Sequence, residues 1–86
     1  MIDRGFQLGT ARQLLERLER LSVDSYWAHR ASGLRGSLLK CVEQIYAAME
    51  NGQEVNQQAW QKLVELNSKG YRILEHAARE IRIREE

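Results

Sequence analysis

Proline is absent from this 86-residue sequence, cysteine occurs once, and aromatic residues make up only 7% of the chain. The lack of proline, together with the absence of low-complexity stretches, excludes a collagen-like or proline-rich protein. The single cysteine, Cys41, excludes an internal disulfide and a zinc site built from cysteines. We therefore expect no disulfide, no metal and no other cofactor.

Membrane and export signals are also missing. No apolar run approaches the roughly 18 residues that a membrane span requires, and residues 1–10 lack the apolar stretch of a signal peptide. We therefore expect an intracellular, cytoplasmic protein that does not have a membrane as a partner.

Neither sign of charge dominates, since 13 Lys and Arg face 12 Asp and Glu and the formal net charge is +1. Such a balance gives the chain no overall attraction to nucleic acid or to anionic lipid. The charges are nevertheless unevenly distributed, because residues 1–40 carry a net charge of +3 and residues 41–86 carry −2. The amino-terminal half is therefore the basic half.

The chain does contain enough apolar residues for one folded domain, with 43% hydrophobic and 29% charged residues. Its length fits a single helical domain over 1–86. At this size a core buries only about 60% of the surface that the unfolded chain exposes. A partner that covers more apolar surface would therefore stabilise it.

Helical periodicity organises the sequence, and no segment alternates with a period of two, so we predict an all-α fold. Helix 1 is predicted over 11–22, with Thr10 as its cap. Helix 2 is predicted over 25–50, where its apolar residues follow a coiled-coil spacing that stops at Asn51-Gly52. Helix 3 is predicted over 57–84, with Asn56 as its cap.

The short connection between helices 2 and 3 predicts a long antiparallel hairpin, beside which the short helix 1 packs. The apolar arcs of both long helices are wider than one neighbouring helix covers, which favours a homo-oligomer, most simply a two-fold dimer of hairpins. The alternative is a three-helix monomer in which helix 1 fills the groove. The side chains predicted to form the oligomer interface are Leu34, Leu38, Tyr46, Trp60, Leu63, Asn67, Tyr71 and Leu74.

Asn67 is the one polar residue in the middle of the apolar arc of helix 3. A polar side chain at such a position can fix the register of an oligomer by pairing with its symmetry mate. The equally good alternative is a hydrogen bond to a backbone carbonyl or to water within one chain.

A strip of small residues, Ser32, Gly33, Gly36 and Ser37, lies on the side of helix 2 that faces away from its apolar seam. Glycine inside a helix costs up to about 1 kcal/mol relative to alanine, so the strip is interpreted as a surface for close approach of a protein partner. A kink in helix 2 or simple sequence drift are the alternatives. Gly70, at the edge of the apolar arc of helix 3, is interpreted as a close-packing position.

A basic patch is predicted at the elbow between helices 1 and 2. Its members, the candidate nucleic-acid contacts, are Arg12, Arg17, Arg20, Arg30, Arg35 and Lys40. The alternative is a solvated face that forms ion pairs.

Catalytic signatures are lacking. His29 and His76 are the only histidines, Cys41 lies on an apolar seam, and the glycines of helix 2 do not form a phosphate loop. We therefore expect no enzyme. The leading hypothesis is a non-enzymatic helical-bundle module that self-associates and docks a protein partner; the alternative is a small accessory subunit that binds nucleic acid through the basic patch.

Overall fold

The computed structural model describes residues 3–21 and 26–85, and for 81–85 it describes only the helical backbone. Three helices follow one another, α1 (Arg4–Glu19), α2 (Tyr26–Glu50) and α3 (Gln57–Glu85). Within the described residues there is no strand, and the predicted all-α class is confirmed.

The start of α1 differs from the prediction. Asp3 caps the helix, because its Oδ1 accepts a hydrogen bond from the backbone N–H of Phe6 at 3.0 Å. The predicted cap, Thr10, instead lies buried in the middle of α1. The predicted range 11–22 was therefore wrong at its start, and since Arg20 is the C-cap, it was also too long at its end.

The turn between α2 and α3 is the one that the sequence predicts. Gly52 has a positive φ of 68°, its N–H donates to the Met49 carbonyl, and the next N–H donates to the Ala48 carbonyl. This Schellman arrangement ends α2, and glycine suits it because an L side chain would be strained at that φ. Asn56 then caps α3 by accepting from the N–H of Gln58 at 2.9 Å. The predicted start of α2 at Ser25 lies outside the described residues.

The three helices form an up-down-up bundle in which α1 folds back on its own hairpin. Contacts between α1 and α3 advance along both helices in the same direction. The Arg4 guanidinium lies over the Trp60 ring, and further along, the Gln7 carbonyl accepts a hydrogen bond from Asn67. The helices α1 and α3 are therefore parallel, and α2 is antiparallel to both. Four fully buried side chains form the centre of the core, namely Leu14, Leu38, Ile45 and Leu63.

Gly70 of α3 lies against the Leu14 side chain of α1. A Cβ added there would lie 3.2 Å from Cδ1 of Leu14, and Gly70 is buried. This agrees with its interpretation as a close-packing position. The absence of a side chain lets the buried Leu14 side chain lie against the backbone of α3.

Gly33 and Gly36 contrast with Gly70, because a Cβ added at either would meet nothing within 4 Å. We expect Gly33→Ala and Gly36→Ala each to raise the free energy of unfolding by about 0.5–1 kcal/mol, since alanine loses less backbone entropy in a helix. Urea unfolding followed by circular dichroism measures the change. Gly70→Ala is the matched control, because its gain in helix propensity is offset by the close contact of the new Cβ with Leu14. Equal gains in stability at all three positions would contradict the finding that Gly33 and Gly36 have open space for a side chain and Gly70 does not.

Candidate functional site

The residues predicted for the oligomer interface lie largely in the core of the single chain. Four are buried against helices of their own chain, and these are Leu38, Trp60, Leu63 and Asn67. Three are half-buried and pack against the same core, and these are Leu34, Tyr46 and Leu74. Only Tyr71 is exposed, at 49%. A subunit interface through the four buried side chains would require the bundle to open, since α1 covers much of the surface that was counted as surplus.

Asn67 has its partner within the chain. Its Nδ2 donates to the backbone carbonyl of Gln7 at 3.0 Å and to the Gln7 Oε1 at 2.8 Å. The backbone hydrogen bond is the alternative that the sequence left open, and it satisfies Nδ2, whereas Oδ1 is buried without a hydrogen-bond partner among the described residues. Asn67 therefore fixes α1 against α3.

The strip on α2 is exposed as predicted. Ser32, Gly33, Gly36 and Ser37 are all exposed, and the two glycines have open space around them. Among the residues that the structure describes, neither glycine is used for packing, so no contact there accounts for the two glycines.

The six basic residues predicted to form one patch differ in the contacts that they make and in the cavities that they line. Arg20 pairs with Glu16 at 2.8 Å, and Arg35 lies 3.6 Å from Glu19 in a groove between α1 and α2. Arg30 and Lys40 instead line two cavities between α2 and α3. Arg12 and Arg17 line none of these cavities. The cavities therefore do not bring all six residues together, and the basic patch at the elbow stays a prediction.

The first cavity on the α2–α3 seam combines apolar and cationic side chains. It has a volume of about 260 Å³ and lies on the side of the hairpin away from α1. Leu34 and Ile73 are half-buried, whereas the cationic side chains are exposed. We call this cavity the α2–α3 groove, and its lining residues are Trp27, Arg30, Leu34, Lys69, Arg72, Ile73 and His76.

Aromatic stacking fixes one end of this groove. The rings of Trp27 and His76 stack with their centroids 4.5 Å apart and their planes 10° apart. The Arg30 guanidinium lies 5.3 Å from the centre of the Trp27 ring and 5.6 Å from that of Tyr26. These contacts hold a cation at the edge of the groove, and a guanidinium that lies over a ring can still donate from its N–H groups.

The other cations of the groove come from α3. Lys69 pairs with Glu65 at 3.1 Å, but both side chains are more than half exposed, so this ion pair contributes little and can exchange with another carboxylate. For Arg72, the described residues supply no ion pair. The groove therefore has an apolar floor and a rim with unused positive charge.

A second cavity lies further along the same seam, toward the turn. It has a volume of about 290 Å³, and its lining residues are Ser37, Lys40, Cys41, Gln44 and Lys62. Cys41 is buried, and its thiol lies 3.7 Å from the Ala59 carbonyl oxygen, to which it donates. Burial raises the pKa of the Cys41 thiol, and the nearby Lys62 ammonium offsets part of that rise. The thiol therefore stays protonated near neutral pH and is a poor nucleophile.

The contribution of α3 to both cavities was not predicted from the sequence. Lys62, Lys69 and His76 are seven residues apart, and this spacing places them on one stripe of the helix. The stripe was a detectable signal, but only the pairing of α3 with α2 places it beside Arg30 and Lys40. Among the described residues, no three His, Cys, Asp or Glu side chains converge where they could hold a metal ion.

Comparisons with known proteins give no match: no family model matches the sequence, and no curated protein or solved structure matches it. Over the residues described, no helix has both the length and the apolar content needed to cross a bilayer. Any proposal about a partner must therefore start from the chemistry of the two cavities.

Proposed function

We propose that the protein is a non-enzymatic interaction module whose α2–α3 groove binds an acidic, amphipathic helix of a protein partner. The observation that carries the proposal is the combination of a floor of Leu34 and Ile73 with a cationic rim of Arg30, Lys69 and Arg72. An amphipathic helix presents apolar side chains to such a floor and carboxylates to such a rim.

The shape of the seam suits a helix. The two cavities together extend from Trp27 to Gln44 on α2, about 17 residues or about 26 Å at 1.5 Å per residue. Since α1 occupies the opposite side of the hairpin, a helix laid on this side would complete a four-helix bundle. It would also cover apolar surface that a domain of this size leaves exposed.

Charge favours an acidic partner over nucleic acid. Two of the arginines predicted as nucleic-acid contacts, Arg20 and Arg35, already pair with Glu16 and Glu19. The Trp27 ring, which could have stacked on a base, is stacked on His76 instead. A groove with an apolar floor suits the aliphatic side chains of a helix better than it suits the phosphate backbone of a nucleic acid.

The test uses a fluorescent 18-residue probe helix with a stripe of leucines flanked by glutamates. We expect it to bind the protein, and we expect Lys69→Glu combined with Arg72→Glu to weaken binding about tenfold or more, because repulsion replaces attraction at two positions. Fluorescence anisotropy measures the affinity. The matched control is Arg12→Glu combined with Arg17→Glu, which makes the same charge change outside the groove and should leave the affinity within about twofold.

Three outcomes would overturn the proposal. The first is equal weakening by both double variants, which would make the attraction one of overall charge. The second is tighter binding of a lysine version of the probe or of a single-stranded oligonucleotide. The third is a concentration-dependent solution mass that falls in the groove variant, because a second copy of the chain would then be the occupant.

A further inference from the structure

The second cavity on the seam has a different chemistry from the α2–α3 groove. Its exposed lining supplies two ammonium groups, one hydroxyl and one carboxamide, from Lys40, Lys62, Ser37 and Gln44. No carboxylate lines it. Ser37, Cys41 and Gln44 follow the 4-3 spacing of one stripe of α2, and Lys62 faces them from α3.

The positive charge in this cavity is uncompensated. Within the part of the chain that the structure describes, neither Lys40 nor Lys62 forms an ion pair, whereas Lys69 has Glu65 at 3.1 Å. Cys41 adds no negative charge, because its thiol is buried and donates to the Ala59 carbonyl. Two lysines without carboxylates, beside a hydroxyl and an amide donor, match the charge and the donors that a dianionic tetrahedral oxyanion requires.

We infer that this cavity binds a phosphate monoester dianion, carried as a phosphoserine or phosphothreonine on the helix that occupies the α2–α3 groove. The assignment of the carrier rests on the proposed function, whereas the oxyanion chemistry of the cavity does not. We call this cavity the phosphate site.

The spacing of the two cavities fixes where the phosphorylated residue lies. Arg30 in the groove and Cys41 in the phosphate site are about 11 residues apart on α2, or about 16 Å along the helix axis. A partner helix that runs along the seam therefore carries its phosphorylated residue about three turns from the apolar residue that enters the groove.

The experiment compares the acidic probe helix with a version that carries one phosphoserine about three turns from a leucine near the opposite end of the probe, and it titrates inorganic phosphate separately into ¹⁵N-labelled protein. We expect phosphorylation to tighten binding about tenfold or more, because it adds nearly two charges opposite two lysines. Lys40→Gln combined with Lys62→Gln should abolish this increment, which is measured as the ratio of the affinities of the two probes for the same variant. Both side chains are exposed, so the variant is expected to fold, and Arg12→Gln combined with Arg17→Gln is the matched control.

The outcomes separate the two proposals. An increment that survives Lys40→Gln combined with Lys62→Gln, or no increment at all, overturns the phosphate site as the acceptor of a phosphorylated helix. Amide shifts at Ser37, Gln44 and Lys62 on addition of inorganic phosphate, without any binding of either probe, support the oxyanion chemistry and overturn the carrier together with the proposed function. Binding of both probes with equal affinity overturns only the phosphate site.

Discussion

Asn67→Asp is expected to lower the free energy of unfolding by about 3–5 kcal/mol at pH 7, although the two side chains are nearly identical in shape. Asn67 is 3% exposed, and its Nδ2 donates to the backbone carbonyl and to the Oε1 of Gln7. A carboxylate would place a negative oxygen against two acceptors. The Gln7 carboxamide can turn to donate, but its backbone carbonyl cannot, and the charge remains buried.

The loss of stability caused by Asn67→Asp should become smaller as the pH falls. Burial and the facing carbonyl raise the pKa of the introduced carboxyl above its value of about 3.9 in the unfolded chain. Between these two pKa values the folded state binds more protons than the unfolded state, so the stability of the variant relative to the parent protein rises as the pH falls. Urea unfolding of both proteins at pH 7.5 and pH 4.5 measures this difference.

Asn56→Asp is the matched control for the same chemical change. Asn56 accepts from the N–H of Gln58 at the start of α3, and an aspartate caps a helix as well as an asparagine does. The control should therefore change stability by less than about 0.5 kcal/mol. Equal, small changes in stability at both positions would show that the hydrogen bonds from Asn67 to Gln7 do not hold α1 against α3.

Leu63→Ala is expected to lower the free energy of unfolding by about 2–5 kcal/mol, because Leu63 is fully buried where the three helices meet and its truncation leaves a cavity. Such a loss is a large fraction of the roughly 5–15 kcal/mol that stabilises a folded domain. Chemical unfolding followed by circular dichroism provides the measurement.

Leu39→Ala is the control, since Leu39 is 36% exposed and its truncation should lower stability by less than about 1 kcal/mol. The same experiment tests whether Leu63 is a core residue of one chain or part of a subunit interface. If one chain buries Leu63, the unfolding midpoint is independent of protein concentration. A midpoint that rises with concentration would show that unfolding is coupled to dissociation of an oligomer.

Local sequence signals predicted the hairpin well. The apolar spacing of α2, the Asn51-Gly52 stop and the Asn56 cap each depend on residues within one or two turns, so a single segment contains all the required information. The start of α1 was missed because Thr10 and Gln13 resemble a capping box, whereas the true cap, Asp3, precedes a turn with no apolar periodicity. Glycines at 5 and 9 also weaken the helical pattern there.

Interactions between distant residues were beyond what periodicity could provide. Asn67 was recognised as an unusual polar residue in an apolar arc, but its partner is 60 positions away in α1. The width of the apolar arcs indicated more apolar surface than the hairpin itself buries. Either a second subunit or α1 of the same chain could have covered it, and the sequence pattern fitted both. Only the docking of α1 on its own hairpin shows that one chain buries Leu38 and Leu63.

The sequence by itself determined the all-α class, the hairpin turn and the close-packing glycine, because each of these follows from short-range spacing and backbone geometry. The tertiary structure alone decided which cations share a surface. Lys40 and Lys62 are 22 positions apart and Arg30 and Arg72 are 42 apart, and only the packing of α2 against α3 brings each pair to one cavity. A helical wheel gives the direction of each side chain on its own helix, but the relative rotation and register of two helices are set by the side chains that interlock between them.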